Sequence, residues 1–399
     1  MIHTFLLVIV TLFARCLVYG GNLQQPLIHT NVCDPDILPF AQSWTLALDR
    51  LYNTFSSHKH TDCPISLPLF DCPPYYSDDS LKDAYHLRPQ DIKSIIALGD
   101  SITAGYGMIS KRPPLSCALE YRGKVFSSGA DPGEYSIANF LSRYQNEVPV
   151  GAPTGVTIPL SRGKGLNLAV SGARVHELTT QVSHLVRLLR SRRYADIQND
   201  WKLVTIFIGA NNVCVLCTPP MTRLPQLADA EAFEEHTRAA LEQLRKHVRK
   251  SFVNLVGLFN ITGVYEAARE DLYCRFILDP GHMVICSCLQ GNEKERQAAD
   301  LVVREYNLRL QKLALEYQAL NDSEFAVVYQ PGFTLFPVAE YKQGYLSRID
   351  CFHPNLCANQ VMAMVLWNNM FSNREEKLER YDLNNVRFKC PGPDRPYLQ

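Results

Sequence analysis

No block of basic residues stands out in this chain of 399 residues, whose 40 Lys and Arg balance 40 Asp and Glu to a formal net charge of zero. Nucleic-acid binding therefore has no electrostatic support. Beyond the first twenty residues no apolar run approaches the length of a membrane span, which argues against an integral membrane protein. The final stretch, Pro391-Gly392-Pro393-Asp394-Arg395-Pro396, lacks the hydrophobic tail of a lipid-anchor signal. A zinc knuckle is unsupported too: Cys214-x-x-Cys217 has no second cysteine pair at suitable spacing with histidines. No internal repeat or low-complexity tract is evident.

What is present fits a globular chain, with 46% hydrophobic and 20% charged residues. Residues 1–20 read as a secretory signal peptide. Thr4 to Ala14 is a short apolar core, and Val18 and Gly20 satisfy the small-residue cleavage rule, so the mature chain is expected to open at Gly21 or Asn22. An N-terminal anchor is the rival reading, disfavoured because Arg15 interrupts the run. Of 13 cysteines, Cys16 leaves with the signal and an even number remain, as expected for disulfides in a secreted chain, with the pairing open. Asn260-Ile261-Thr262 and Asn321-Asp322-Ser323 make Asn260 and Asn321 glycosylation candidates.

Residues 21–92 are rich in turns and proline, hold Cys33, Cys63 and Cys72, and show one helical pattern, from Ile37 to Tyr52. They are expected to form an irregular extension stapled by disulfides. From residue 93 to 399 short apolar runs alternate with amphipathic helices. Strands are expected at Ser94–Leu98, Leu166–Val170, Leu203–Ile208, Val253–Leu258 and Phe325–Tyr329. Val175, Leu178, Val182, Leu185 and Leu189 form one helical stripe, and Phe233, Thr237, Ala240, Leu241, Leu244 and Val248 another. Further helices are expected over Lys294–Ala319 and Leu356–Phe371. This alternation predicts a three-layer α/β/α fold around a mostly parallel, five-stranded sheet.

In such a fold ligands sit outside the carboxyl ends of the strands. Ser101 in Gly99-Asp100-Ser101, Gly172 in Ser171-Gly172-Ala173 and Asn211 in Gly209-Ala210-Asn211 follow the first three strands. Asp350-Cys351-Phe352-His353 places a carboxylate three residues from an imidazole. Together they supply what ester cleavage needs: Ser101 as nucleophile, His353 as base, and Asp350 to orient it. The oxyanion donors would be the N–H groups of Ser101 and Gly172 and the Asn211 amide. Asp100 reads as a capping residue. Ser171 is a rival nucleophile with no acid–base pair implied. The G-x-S-x-G elbow is absent around Ser101, with Thr103 in place of the last glycine, which disfavours that class of hydrolase.

These blocks resemble the GDSL (SGNH) hydrolases. The run from His86-Leu87-Arg88-Pro89 to Thr103-Ala104-Gly105 is similar to the animal phospholipase B branch. So are Tyr121-Arg122-Gly123, Asn167-Leu168-Ala169-Val170-Ser171-Gly172-Ala173, Ile208-Gly209-Ala210-Asn211 and Asp350-Cys351-Phe352-His353-Pro354-Asn355. The resemblance implies a flavodoxin-like fold and metal-independent hydrolysis of phospholipid and lysophospholipid acyl esters, with no cofactor and transient contact with a lipid interface. It assigns Ser101, Asp350 and His353 to the triad and Gly172 and Asn211 to the oxyanion hole. The chain departs from the family at Asn212, where Asp is usual. Met108, Ile109, Phe333, Leu335 and Phe336 are candidates for an acyl groove. The alternatives are an esterase for short-chain or carbohydrate acyl esters, or a silent lipid-binding protein.

Overall fold

Every residue of the two central strands is buried, which is why they read as mostly apolar runs without polar alternation, broken only by Lys202, Thr205, Ser251 and Asn254: a parallel strand covered on both faces has no solvent side to alternate with. The computed structural model describes residues 63, 65–75, 83–110, 118–159, 161, 163–217, 229–279, 286–334, 344–382 and 385–399. A compact unit runs from His60 to Gln399. The helix expected at Ile37–Tyr52, together with Cys33, Cys117, Leu335 and Phe336, lies outside the described residues.

The sheet consists of β1 (Ile92–Gly99), β2 (Trp201–Phe207), β3 (Ser251–Val256) and β4 (Phe325–Gln330), all parallel and adjacent in that order. One line of register crosses it through Ile96, Val204, Val253 and Val327. The expected fifth strand is not formed. Leu166–Val170 runs beside β1, donating from Leu168 to Ala97 at 2.8 Å and from Val170 to Gly99 at 3.1 Å, with a single parallel bridge at Asn167. Its outer edge is taken by a side chain, because the Arg122 guanidinium bonds the carbonyls of Asn167 and Ala169 at 3.2 and 2.8 Å. Counting this segment, the spatial order is the 2-1-3-4-5 of flavodoxin-like sheets.

Ten helices are described: α1 (Ser101–Ala104), α2 (Ile137–Gln145), α3 (Leu178–Leu189), α4 (Ala210–Cys214), α5 (Ala230–His247), α6 (Ile261–Ala268), α7 (Leu272–Ile277), α8 (Ser287–Gln290), α9 (Glu293–Ala319) and α10 (Leu356–Met370). One layer is formed by α3, α5 and α9, which pack on one another, and α2 and α10 form the other. The expected stripes face inward: Leu178, Val182, Leu185 and Leu189 on α3, and Phe233, Ala240, Leu241 and Leu244 on α5. Except for Gln360, α10 is buried throughout. Phe70 seals its outer side, with its ring 5.1 Å from Trp367, 4.4 Å from Phe140 and 4.9 Å from Phe388.

Among the described residues there are five disulfides: Cys63–Cys357, Cys72–Cys390, Cys214–Cys286, Cys217–Cys288 and Cys274–Cys351. The Cys214-x-x-Cys217 motif is thus structural. No helix among the described residues is long and apolar enough to cross a membrane.

Candidate active site

At the end of β1 the backbone passes so near β2 that a Cβ on Gly99 would lie 2.3 Å from the Phe207 carbonyl oxygen. Glycine permits that approach. The chain then enters α1, capped by Asp100, whose Oδ1 accepts from the Ile102 N–H at 3.0 Å. Thr103 Oγ1 donates to the Phe207 carbonyl at 3.3 Å, tying α1 to the end of β2.

Ser101 Oγ lies 2.7 Å from His353 Nε2, and His353 Nδ1 lies 2.5 Å from Asp350 Oδ2. The three residues are 7%, 8% and 4% exposed. The Asp350–His353 turn is fixed from several sides. Asp350 Oδ1 accepts from the N–H groups of Phe352 and His353 at 3.0 and 3.1 Å. Ser347 donates its N–H to the His353 carbonyl at 2.7 Å and its Oγ to the Gly107 carbonyl at 2.8 Å. Cys351, between Asp350 and His353, has φ +55° and is bonded to Cys274 on α7. Asn355 caps α10 by accepting from Ala358 N–H at 3.0 Å.

Burial alone would raise the Asp350 carboxyl. The facing His353 and the two backbone donors outweigh it, and the group is held below its ordinary value. Asp100 goes the other way. Burial pushes it up to about 6 against the Ile102 hydrogen bond and the nearby His353, and its Oδ2 has no hydrogen-bond partner.

Gly172 follows the extended segment with φ +85°, a conformation that favours glycine, and a Cβ there would meet nothing within 4 Å. Asn211 Nδ2 donates to the Ala173 carbonyl at 3.0 Å, which joins the Gly172 loop to α4. Asn212 Oδ1 accepts from Val175 N–H at 2.9 Å. That is a bond an aspartate would also accept, so the departure at Asn212 keeps the loop tether. Ser101, Gly172 and Asn211 therefore follow three neighbouring segments, at the switch point where such sheets bind ligands.

Among the described residues the rival Ser171 bonds no imidazole. Its Oγ donates to Glu120 Oε1 at 2.6 Å, within a network that sequence reasoning missed. Glu120 and Arg122 form a fully buried ion pair at 2.7 Å. Arg122 also bonds Thr157 Oγ1 and Asn167 Oδ1, each at 2.9 Å. The visible signal was a charge inside Tyr121-Arg122-Gly123, but its partners come from distant segments. Tyr106 was missed as well; its ring lies 4.8 Å from that of His353.

Of the groove candidates, Phe333 lines a small apolar cavity with Phe259, Leu346, Met362 and the two chain neighbours of His353, Phe352 and Pro354. Met108 is instead buried against Tyr121, Val125, Val156 and Leu356, with Ile109 partly buried beside them. Asn260 and Asn321 are both exposed.

Residues 95–366 match the GDSL-like Lipase/Acylhydrolase family. Over 343 residues the chain is 30% identical to human membrane-associated phospholipase B1, covering 82% of this chain and 22% of that protein. The rat protein of the same name is 29% identical over 329 residues, covering 79% of this chain and 21% of that one. The chain thus spans 21–22% of the length of these curated relatives. A solved lipase from a goat rumen metagenome aligns at 15% identity and a TM-score of 0.37, over 68% of this chain and 95% of that one. The family match runs from within β1 to within α10 and takes in Ser101, Gly172, Asn211, Asp350 and His353, so the chain belongs to the GDSL-like lipase/acylhydrolase family.

Proposed function

We propose that the protein is a secreted esterase of the phospholipase B type, releasing fatty acid from phospholipids and lysophospholipids through Ser101. The observation that carries this reading is the buried relay from Ser101 to His353 to Asp350, at 2.7 and 2.5 Å, beside an apolar cavity. Ser101 Oγ attacks the acyl carbonyl carbon while its proton passes to His353 Nε2. Asp350 Oδ2 accepts from Nδ1–H, which holds the tautomer and stabilises the imidazolium. The carbonyl oxygen gains negative charge and is met by the N–H groups of Ser101 and Gly172 and by Asn211 Nδ2. Loss of one such donor typically lowers turnover by about 10²–10³. The C–O bond to the glycerol oxygen then breaks and that oxygen takes the proton from Nε2. Water, deprotonated by the same nitrogen, frees the acyl chain from Ser101 and returns the proton to Oγ.

A lipid substrate also needs apolar surface at the site. Phe333, Phe352 and Met362, which wall the small apolar cavity, offer apolar contact to an acyl chain. On α7, Leu272 and Phe276 are 75% and 58% exposed, one helical turn apart, and Cys274–Cys351 ties this helix to the segment that carries Asp350 and His353. We assign these two side chains to the lipid interface. The five disulfides, the signal-like residues 1–20 and the exposed sequon residues Asn260 and Asn321 support secretion with glycans at both positions.

The test is fatty-acid release from phosphatidylcholine and lysophosphatidylcholine by the secreted full chain and by Ser101→Ala. Release by the parent alone upholds the reading. Equal release by both, or cleavage confined to soluble acetyl esters, overturns it.

A further inference from the structure

A second cavity, of about 300 Å³, lies beside β4 at the opposite edge of the sheet from β1. It falls at the lower end of the range for small-molecule sites, about 300–1,000 Å³. Phe252, Val328, Ala314, Leu315 and Leu398 give it apolar walls, Gln311, Gln318, Tyr329, Ser372 and Gln399 make the rest of its lining partly polar, and none of its lining residues belongs to the Ser101 site. Lys377 also lines it, although only 7% exposed. Among the described residues Lys377 Nζ has no hydrogen-bond or ion-pair partner, and burial is the sole influence on its amine, pushing it down to about 7. The adjacent carboxylate, Glu376, is engaged elsewhere, with Lys389 at 3.0 Å and Arg395 at 3.5 Å.

An amine buried in apolar walls without a counter-charge is costly, and the cost falls when an anion enters beside it. We propose that this cavity binds a medium-chain carboxylate, with the carboxylate on Lys377 Nζ and the alkyl chain between α9 and β4. One buried cation matches one negative charge. A phosphate monoester, carrying about −1.5 to −2 at neutral pH, would bring more charge than this one buried cation offsets. Arg374, which also lines the cavity, is exposed and meets solvent. Carboxylates of this class are what an acyl-ester hydrolase sets free, so the site is fitted to hold a product away from Ser101. Binding itself needs no catalysis and is measured without it.

The experiment is calorimetric titration of the full chain carrying Ser101→Ala with decanoate below its micelle concentration. Parallel titrations use decanol and decyl phosphate. Lys377→Met and Leu315→Trp are each added to the same background, with thermal melting to verify folding. One decanoate per chain is expected. Lys377→Met should weaken it at least about tenfold, the scale of a lost charged partner (about 1.4 kcal/mol per tenfold). Leu315→Trp should block it by filling the cavity mouth, and decanol should bind more weakly than decanoate. The proposal is overturned if the parent takes up no decanoate or if the folded variants bind it as the parent does, which would place the ligand elsewhere, such as beside His353. Tighter binding of decyl phosphate would overturn the carboxylate assignment. None of these results depends on whether phospholipids are cleaved.

Discussion

Gln181, on α3, holds the backbone of Gly99 by two hydrogen bonds: its Oε1 accepts from the Gly99 N–H at 2.9 Å and its Nε2 donates to the Gly99 carbonyl at 2.8 Å. Gly99 ends β1, two residues before Ser101, so α3 sets where the segment that carries Ser101 begins. Gln181→Leu keeps the volume but strips the buried N–H of its acceptor, while the carbonyl keeps the Val170 N–H at 3.1 Å. The expected cost is about 1–3 kcal/mol of stability, with kcat on a soluble ester lowered more than KM is changed. Denaturant unfolding and steady-state kinetics check this; a normal kcat would mean that Ser101 is positioned without Gln181.

Asp350 is held below its ordinary value and is ionised at neutral pH, so the acid limb of a rate profile belongs to another group. Asp350→Asn is expected to lower kcat on the order of 10³–10⁴ with little change in KM. The ionised Asp350 also stabilises the fold above about pH 4, an advantage lost as pH falls through its depressed folded value. The stability gap between parent and variant should therefore narrow in acid. A kcat within tenfold of the parent would remove Asp350 from the role.

Asp100 behaves oppositely, with a folded value raised from 3.8 to about 6. Its charged form is disfavoured by folding, so its penalty is absent below about pH 4 and fully developed above about pH 6. Asp100→Asn preserves the acceptor for the Ile102 N–H. The variant should equal the parent near pH 4 and exceed it at pH 8, by about 3 kcal/mol as an order of magnitude. Unfolding curves at the two pH values measure the difference, and a variant less stable at pH 8 would contradict it.

Leu272→Ser combined with Phe276→Ser removes apolar surface from α7 without touching the Ser101 cluster. Hydrolysis of phosphatidylcholine vesicles should fall several-fold while hydrolysis of a soluble short-chain ester stays as in the parent. An equal loss on both substrates would assign the two side chains to folding rather than to the interface.

Much of this architecture is legible in local pattern. Buried parallel strands declare themselves as apolar runs, and α3 and α5 by their stripes, because burial repeats with the period of the element. Asp350 and His353 are three residues apart, so their pairing is a property of one turn, and Asn355 capping α10 is equally local. The positions of Ser101, Gly172 and Asn211 follow from strand order, since parallel strands put all their carboxyl ends on one side.

Other features had no local signature. Leu166–Val170 has the composition of a strand, yet its outer edge is satisfied by Arg122, from some 45 residues away. Glu120 with Ser171, Gln181 with Gly99, and Lys377 alone in its cavity depend on which segments the packed layers bring together. The cysteine pairs, separated by 71 to 318 residues, depend on it too. The chain by itself determined the elements, the edge of the sheet at which Ser101, Gly172 and Asn211 lie and the Asp350–His353 turn, because these rest on burial periodicity and short-range geometry. The partners of its buried charges, the bonding of its cysteines and the second cavity were decided by tertiary structure, because each depends on groups far apart in sequence that only packing brings within a few ångströms.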